Sequence, residues 1–321
     1  EGILLAHQDF LKSVSDDNRV LARVDAPVPG KVGIATGGGS GHIPVFLGYV
    51  GKGLADAVAV GNVFSSPSTQ QMAQATRAAN GGVGVLHLFG NYTGDVMNFE
   101  MAAELAAAEN IQVKRSLVTD DVASAQKGKE DTRRGIAGLF FAYKIAGARA
   151  EEMASLDEVK AAADMAISHT RSMGVALSPC TLPAAGKPTF TIGDGEMEIG
   201  MGIHGEPGIE RGPLKSADDI VDSMLGHILE DYPYKEGDEV AMLINGLGAT
   251  PPEELYIMNR KAHQILSDRE IDIYKVYIGE FATSLEMAGA SISLLFLNYD
   301  LKRWLDAPAE SPFFKQHEFT N

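Results

Sequence analysis

Short apolar runs alternate with longer stretches of helical periodicity through the first half of the chain. Such alternation is typical of β-α units around a largely parallel sheet, in which ligands gather at the carboxyl ends of the strands. The predicted strands span residues 32–35, 57–60, 83–89 and 113–118, and the predicted helices span residues 69–80, 96–109 and 131–148.

The second half repeats this alternation after a change in composition. An alanine-rich helix is predicted over 156–173, and prolines and glycines around 178–188 mark a domain boundary. Further strands are predicted over 198–203, 240–244, 274–278 and 291–297, and helices over 218–229 and 251–266, the last with Thr250 as N-cap. The sequence therefore predicts an α/β protein with mostly parallel or mixed sheets in two domains, residues 1–180 and 181–321.

Charge and cysteine content narrow the partners and the compartment. The 321 residues carry a formal net charge of −16, which argues against nucleic acid and anionic membranes because both bind clustered lysine and arginine. Cys180 is the only cysteine, so no intrachain disulfide or cysteine-built zinc site is possible, and we interpret it as a buried thiol. Without a signal peptide or an apolar run of about 20 residues, we expect a cytoplasmic protein.

Two glycine-rich segments have the composition of ligand-binding loops. Residues 200–205 match the dinucleotide pattern G-x-G-x-x-G, but Pro207 and Pro213 prevent the helix that this pattern must open. The second segment, from Thr36 to His42, contains Gly38, Gly39, Ser40 and Gly41 and follows a predicted strand. Its backbone N–H groups could hold a small polar ligand, or the glycines could serve only a tight turn into a helix. The density of glycine favours the interpretation as a ligand-binding loop.

Asp95 and two histidines are the candidate chemical groups. Asp95 follows Gly90 and Asn91 after a strand, where it could cap the next helix or act as a general base. Only His42 and His204 occupy glycine-flanked loops, because His227, which follows Gly226, lies in a predicted helix. His204 could be a base, a nucleophile, a metal ligand or a hydrogen-bond donor.

The remaining histidines have ordinary structural interpretations. His87 lies within a predicted strand, and we interpret it as a core residue with a hydrogen-bond partner. The surface histidines are predicted to be His7, His169, His227, His263 and His317. No closely spaced histidine pair predicts a metal site.

Five segments, in this order, resemble the substrate-binding K subunit of dihydroxyacetone kinases and cover nearly the whole chain. They are Gly37-Gly38-Gly39-Ser40-Gly41-His42, Asn91-Tyr92-Thr93-Gly94-Asp95, Pro183-Ala184-Ala185-Gly186-Lys187-Pro188, Ile203-His204-Gly205-Glu206-Pro207-Gly208 and Leu247-Gly248-Ala249-Thr250-Pro251.

The resemblance implies an active site between the two domains. His204 matches the histidine that captures the substrate ketone as a covalent hemiaminal, and Asp95 matches the carboxylate that takes the proton of the attacking hydroxyl. His42 matches a histidine that hydrogen-bonds the substrate and assists proton transfer. The implied substrate-binding residues are Gly38, Gly39, Ser40, Gly41, Gly90 and Asn91.

The resemblance also implies the partners. K subunits bind no nucleotide themselves; ADP or ATP with Mg²⁺ is held by a separate L subunit, and a phosphotransferase component rephosphorylates ADP in some systems. The resemblance further implies that this chain forms a homodimer, as K subunits do.

Two residues depart from the dihydroxyacetone-specific pattern. Gly90 replaces a lysine and Ile43 replaces a glutamate, so charge is lost and space is gained beside the expected pocket. A four-carbon ketose such as erythrulose therefore becomes a candidate substrate. The alternatives are a ketone-sensing co-activator without kinase activity and, resting only on the glycine pattern at 200–205, a nucleotide-dependent oxidoreductase.

Overall fold

The structure, a computed structural model, describes residues 1–317 and divides the chain into two compact units. The first unit comprises Glu1–Val118, Leu139–Ile167 and the chain from Tyr299 onward, and the second comprises Thr119–Gly138 and Ser168–Asn298. None of the helices within residues 1–317 is long and apolar enough to cross a membrane.

This division differs from the single boundary that the composition places near residue 180. The chain passes from one unit to the other four times, at residues 118/119, 138/139, 167/168 and 298/299. The prolines and glycines around 180 belong to a short hairpin inside the second unit, where Thr181–Leu182 pairs with Lys187–Pro188. A turn and a linker have the same composition, which explains the difference. The last four residues of the predicted range 181–321 lie outside the described part.

Within residues 1–317, the first unit consists of six strands, a small C-terminal strand pair and six helices. The strands up to Val118 are β1 Leu11–Ser13, β2 Val20–Arg23, β3 Gly33–Ser40, β4 Ala57–Val63, β5 Val85–Gly90 and β6 Val113–Val118. The helices up to residue 169 are α1 Gly2–Ala6, α2 Thr69–Ala79, α3 Thr93–Ala108, α4 Leu139–Glu151 and α5 Leu156–His169. The predicted strands at 57–60, 83–89 and 113–118 are confirmed, and the predicted helix over 131–148 begins only at Leu139.

The main sheet of the first unit has the strand order β1-β2-β4-β3-β5-β6, and the strands from β3 to β6 run parallel. β4, which follows β3 in the chain, lies on one side of β3, whereas the next strand, β5, lies on the other side of β3. Such a reversal creates a crevice at the carboxyl ends of the two central strands. β3 and β5 pair only from Gly33 to Ala35, after which β3 continues along β4 alone. The strands therefore part where a crevice is expected.

The second unit contains a mixed sheet covered by two long helices. Its elements are β7 Thr170–Ala176, β8 Thr181–Leu182, β9 Lys187–Pro188, β10 Glu196–Ile199, β11 Glu210–Pro213, α6 Ala217–Asp231, β12 Glu239–Gly246, α7 Pro252–Asp268, β13 Asp272–Gly279 and β14 Gly289–Leu297. The chain then completes the first unit with α8 Tyr299–Asp306, β15 Ala309–Glu310 and β16 Lys315–Gln316.

The sheet order in the second unit is β11-β10-β7-β14-β12-β13, with only β12 and β13 parallel. Apolar residues of α6 and α7, such as Met224 and Leu266, pack with the inner face of this sheet in one core. The prediction of mostly parallel or mixed α/β sheets is therefore confirmed, with a parallel core in the first unit and a mixed sheet in the second.

Three local predictions in this part of the chain were wrong. The strand predicted over 198–203 spans only Glu196–Ile199, and a turn follows it. The helix predicted over 156–173 ends at His169, because Thr170–Ala176 pairs with β14 over seven residues and with β10 at its end. Sheet pairing thus overrides the helical periodicity of an alanine-rich stretch. Thr250 does not cap α7. Its hydroxyl donates to the Gly289 carbonyl (2.6 Å) and accepts from the Gly289 amide (2.9 Å), and the N-cap residue is Pro251.

His87 is a core residue with a hydrogen-bond partner, as predicted. It lies in β5, is 1% exposed, and its Nε2 is 2.8 Å from Thr76 Oγ1 of α2. Burial, together with the positive charge of Arg115, lowers the pKa of His87 from 6.5 to about 3. The imidazole is therefore neutral in the folded chain at physiological pH.

We predict that His87 makes folding stability sensitive to acid. The pKa of His87 is lower in the folded chain than in the unfolded chain, so between pH 6.5 and 3 the unfolded chain binds a proton that the folded chain does not. The free energy of unfolding therefore decreases as the pH falls from 6.5 toward 3, by up to about 1.4 kcal/mol per pH unit. The difference in free energy of unfolding between the wild type and His87→Gln should shrink over this interval in urea titrations. Substitution of the exposed His263 by Gln is the control. A difference that stays constant with pH at His87 would contradict the assignment.

Candidate active site

The glycine run after Val32 lies in a strand and not in a loop, contrary to the prediction. β3 continues through Ser40, and no helix follows; a 3-10 turn forms at Leu47–Tyr49. A Cβ atom at Gly38 would overlap the ring of Phe46, and one at Gly39 would lie 2.6 Å from the Ser65 amide nitrogen. These glycines thus permit close approach, and the only positive φ in the run is that of Gly41, at 101°.

His42 follows this strand and is completely buried. Its ring stacks on Phe64 with the centroids 4.7 Å apart and the planes 9° apart, and it meets the edge of Phe46 at 6.3 Å. The backbone amide of Phe64 donates a hydrogen bond to the Ser40 carbonyl (3.0 Å), which fixes the position of this residue beside β3. The two phenyl rings fix the orientation of the imidazole at the carboxyl end of β3.

Asp95 lies in the first turn of α3 and is 6% exposed. The N-cap residue of this helix is Tyr92, and Asp95 is the third helical residue, so of the two roles that the sequence leaves open for Asp95, capping is wrong. A carboxylate in a first helical turn is stabilised by the amide groups and dipole of the helix. The site therefore holds a buried carboxylate at a position that favours its charge.

Tyr143 of α4 lies near this carboxylate. Its hydroxyl is 2.6 Å from Thr36 Oγ1 of β3. Burial raises the pKa of the Tyr143 phenol, the hydrogen bond with Thr36 opposes the rise, and the charge of Asp95 adds to it. The phenol therefore keeps its proton and can serve as a hydrogen-bond donor.

Gly90 and Asn91 connect β5 to α3. Gly90 is buried at the last position of β5, and the Asn91 amide donates to the Val118 carbonyl at 3.1 Å. Gly94 leaves room for the Ser66 hydroxyl, because a Cβ atom at position 94 would lie only 2.6 Å from the Ser66 oxygen. Because β4, β3 and β5 are parallel neighbours, the segments that follow them meet at one edge of the sheet. The first unit therefore brings its predicted site residues to this edge: Gly38, Gly39, Ser40, Gly41, His42, Gly90, Asn91 and Asp95.

His204 lies in a tight turn of the second unit. The Gly205 amide donates to the Gly202 carbonyl, and the Gly202 amide donates to the Glu206 carbonyl, both at 3.0 Å. Gly205 has a φ of 85°, and the Ser284 hydroxyl donates to the Ile203 carbonyl. The turn also excludes the dinucleotide-binding interpretation of 200–205, since no helix begins there. The imidazole is 24% exposed, so it is anchored by its backbone and open to a small ligand.

Glu206 is the nearest charged group to this imidazole. Its Oε1 is 2.9 Å from His204 Nδ1, and its Oε2 accepts the His204 amide at 2.9 Å. Burial alone would raise the pKa of Glu206, but the hydrogen bond and charge of His204 and the charge of Arg134 outweigh it and lower the pKa from 4.5 to about 2. Glu206 is therefore a carboxylate at neutral pH.

Arg134 joins Glu206 to a second buried carboxyl group. Arg134 Nη1 is 3.8 Å from Glu206 Oε2, while its Nη2 and Nε lie 2.9 and 3.0 Å from Asp121 Oδ2. Burial raises the pKa of Asp121 to about 7; Arg134 opposes the rise and the neighbouring Asp120 adds to it. Arg134 is thus shared between Asp121, which it contacts directly, and Glu206.

Reasoning from the sequence missed Glu206, Arg134 and Tyr143. Glu206 had a local signal, a carboxylate two residues after a histidine within a glycine turn. Arg134 and Tyr143 had none, because they reach their partners from segments remote in sequence. Within residues 1–317, no group of three or more His, Cys, Asp or Glu side chains could hold a metal ion. Cys180 is a buried free thiol, as predicted, with Sγ 3.5 Å from Thr189 Oγ1.

Comparison with known proteins identifies the family of the chain. Residues 1–313 match the Dak1 domain. The chain belongs to the Dak1 domain family. It is 45% identical over 314 residues to the dihydroxyacetone-binding subunit of PTS-dependent dihydroxyacetone kinase 2 of Listeria innocua, covering 98% of this chain and 94% of that subunit. The predicted resemblance is confirmed.

Two other similar proteins have different names. The D-erythrulose kinase of Mycolicibacterium smegmatis is 44% identical over 296 residues, which cover 92% of this chain and 51% of that kinase. Among solved structures, a dihydroxyacetone kinase operon co-activator superposes with a TM-score of 0.91 at 28% identity and covers 98% of this chain and 97% of that one. The fold alone therefore does not separate a kinase subunit from a co-activator.

We predict that Gly38→Ala destabilises the first unit by about 1–3 kcal/mol, because its Cβ would displace the Phe46 ring that meets His42. Gly226→Ala is the matched control. Gly226 lies inside α6 with no atom within 4 Å of a Cβ, so alanine there should stabilise the chain by up to about 1 kcal/mol. Urea unfolding measures both effects. Equal changes at the two positions would show that close approach does not require Gly38.

Proposed function

We propose that this chain is the ketose-binding subunit of a dihydroxyacetone-type kinase. The observation that carries the proposal is the 45% identity with a dihydroxyacetone-binding subunit over nearly the full length of both chains. The site residues are consistent with it. A nucleophilic ring lies in a solvent-accessible turn of the second unit, and a buried carboxylate and a buried imidazole lie at one sheet edge of the first.

His204 is the residue that captures the ketose. In its neutral form, the imidazole adds through a ring nitrogen to the carbonyl carbon and forms a hemiaminal, while the carbonyl oxygen takes up a proton. Only compounds with a carbonyl group can react in this way, so glycerol and other polyols are rejected. The covalent bond also fixes the orientation of the hydroxyl group that will attack phosphorus.

Asp95 and His42 act on the same captured ketose. Asp95 accepts the proton of the terminal hydroxyl as it attacks the transferred phosphoryl group, and His42 hydrogen-bonds the substrate and assists proton transfer. The backbone of Gly38, Gly39, Ser40 and Gly41, together with Gly90 and Asn91, binds the rest of the ketose.

The nucleotide is supplied by another protein. A helical L subunit holds ADP or ATP with Mg²⁺, and the phosphate comes either from free ATP or from a phosphotransferase protein. The kinship with a PTS-dependent kinase subunit supports the second donor. We also expect two copies of this chain to associate, and we expect the assembly to act in the cytoplasm, where a single reduced thiol is stable.

Different mutations should abolish capture of the ketose and phosphoryl transfer separately. We expect intact-protein mass spectrometry to show an adduct with the full mass of the ketose in the wild type and none in His204→Ala. Asp95→Asn should keep the adduct and lose about 10²–10⁴-fold in turnover with the L subunit, because only proton removal is affected. His263→Ala, an exposed histidine of the same unit as His204, should change neither. An adduct on His204→Ala would refute the capture role.

The substitutions at Gly90 and Ile43 should set the preferred ketose length. We predict that the Gly90→Lys, Ile43→Glu double variant lowers the kcat/KM ratio for erythrulose over dihydroxyacetone by about 10–200-fold, since a smaller pocket rejects the extra carbon. A variant with the same charges at exposed sites of the first unit, Val83→Lys with Leu105→Glu, is the control. If the wild type acts equally well or better on dihydroxyacetone, the four-carbon preference is wrong.

A ketone-sensing co-activator is the second candidate. The TM-score of 0.91 with an operon co-activator supports it. A sensor needs only the capture residue, whereas this chain also has Asp95 and His42, which favours the kinase. Adduct formation by the wild type without turnover in the presence of a cognate L subunit would decide for the sensor.

A further inference from the structure

We propose that Glu206, held by Arg134, is the positioning residue that fixes the tautomer of His204 and balances the positive charge that ketone capture places on the ring. This inference deepens the proposed function and rests on it for the identity of the ligand. The arrangement of the imidazole and the carboxylate can be tested without any ligand.

The tautomer follows from the two contacts between Glu206 and His204. An ionised carboxylate only accepts hydrogen bonds, so at 2.9 Å from Oε1 the Nδ1 atom of a neutral ring must carry the proton. Nε2 then has the free electron pair and is the nucleophile. Because Oε2 also accepts the His204 amide at 2.9 Å, the carboxylate is tied to both the backbone and the ring of the same residue.

The turn is built so that this carboxylate fits. A Cβ atom at Gly202 would overlap Glu206 Oε2 and would lie 2.6 Å from Arg134 Nη1. Any side chain at position 202 would therefore push the carboxylate or the guanidinium away. This requirement gives a physical reason for one glycine in the pattern at 200–205, which has no dinucleotide to bind.

Arg134 is itself fixed on two sides. Its Nη2 and Nε contact Asp121 Oδ2, and Nη2 lies 3.4 Å from the Gly200 carbonyl oxygen. The guanidinium approaches Glu206 Oε2 to 3.8 Å, which is an ion-pair distance without a direct hydrogen bond. Arg134 thus keeps Glu206 charged and in place, while both carboxylate oxygens remain available to His204.

The capture step shows what the carboxylate does. The Nε2 electron pair forms a bond to the carbonyl carbon, the π pair of the carbonyl moves to oxygen, and that oxygen takes one proton from a water molecule, whose hydroxide ion passes to the solvent. The ring is left with a positive charge and an Nδ1–H group that points at Glu206. A carboxylate at 2.9 Å stabilises this cation as it stabilises the imidazolium of a catalytic triad.

The first experiment measures the tautomer in the absence of ketose. In protein with ¹⁵N-labelled histidine, we expect the His204 ring of the wild type, at a pH where it is neutral, to be protonated at Nδ1. Glu206→Gln should keep this state, because its one amide oxygen can still accept from the ring while the contact with the His204 amide is lost. Glu206→Ala should shift the ring toward the Nε2-protonated form. A wild-type ring protonated at Nε2, or a tautomer unchanged in Glu206→Ala, would overturn the proposal.

The second experiment measures adduct stability with dihydroxyacetone and with erythrulose. Glu206→Ala should weaken the adduct by about 10–100-fold, the range seen when carboxylates behind ligating histidines are removed. The adduct of Glu206→Gln should have a stability between those of the wild type and Glu206→Ala, since this variant keeps the tautomer and loses the charge. Adduct formation at the wild-type level by Glu206→Gln would overturn the charge-balancing role.

Controls separate this proposal from folding and from the proposed function. Glu253→Gln, an exposed carboxylate of α7, should change neither the tautomer nor the adduct. If Glu206→Ala does not fold, as thermal melting would show, the nearly isosteric Glu206→Gln still tests the charge. A wild type that forms no adduct with either ketose would count against the proposed function, whereas the tautomer measurement would still decide the role of Glu206.

Discussion

Close approach of other groups to glycine backbone is the constraint on which both sets of site residues depend. In the first unit, the missing side chains of Gly38 and Gly39 let Phe46 and the Phe64–Ser65 backbone lie directly against β3. These two phenyl rings hold His42. In the second unit, the missing side chain of Gly202 lets Glu206 and Arg134 reach the turn that carries His204. Each candidate imidazole is therefore oriented by a neighbour that only glycine admits.

The two imidazoles are held by different interactions, and the difference suits different tasks. His42 is fully buried between aromatic rings, so its position is set by packing and it has little freedom to move. His204 is partly exposed and its orientation is set by an ionised carboxylate. A buried ring suits repeated proton transfer in a fixed geometry, whereas a ring that must form and break a bond to an incoming molecule needs access.

The sequence predicts the elements that follow from periodicity and misses those that follow from tertiary contacts. Apolar runs locate β4, β5 and β6, although only β5 is buried at every position and β6 is largely half-buried. The glycine run is misread as a loop, since glycine rarely favours strands and only pairing with β4 keeps it extended. Asp95, His42 and His204 can be found from their loops and from the family resemblance. Arg134 cannot, because it reaches Glu206 from a segment about 70 residues away in the chain.

The division of chemistry between the units explains how substrate choice could vary within the family while the reaction is kept. In the proposed mechanism, capture by His204 depends only on a carbonyl group, so it is indifferent to the length of the ketose. The same proposal assigns chain length to the sheet edge of the first unit, where Gly90 ends β5 and Ile43 follows His42. Changes at these two positions alter space and charge without touching the imidazole, its carboxylate or the general base. Under this proposal, specificity can change through a few side chains of the first unit without any change in the turn around His204.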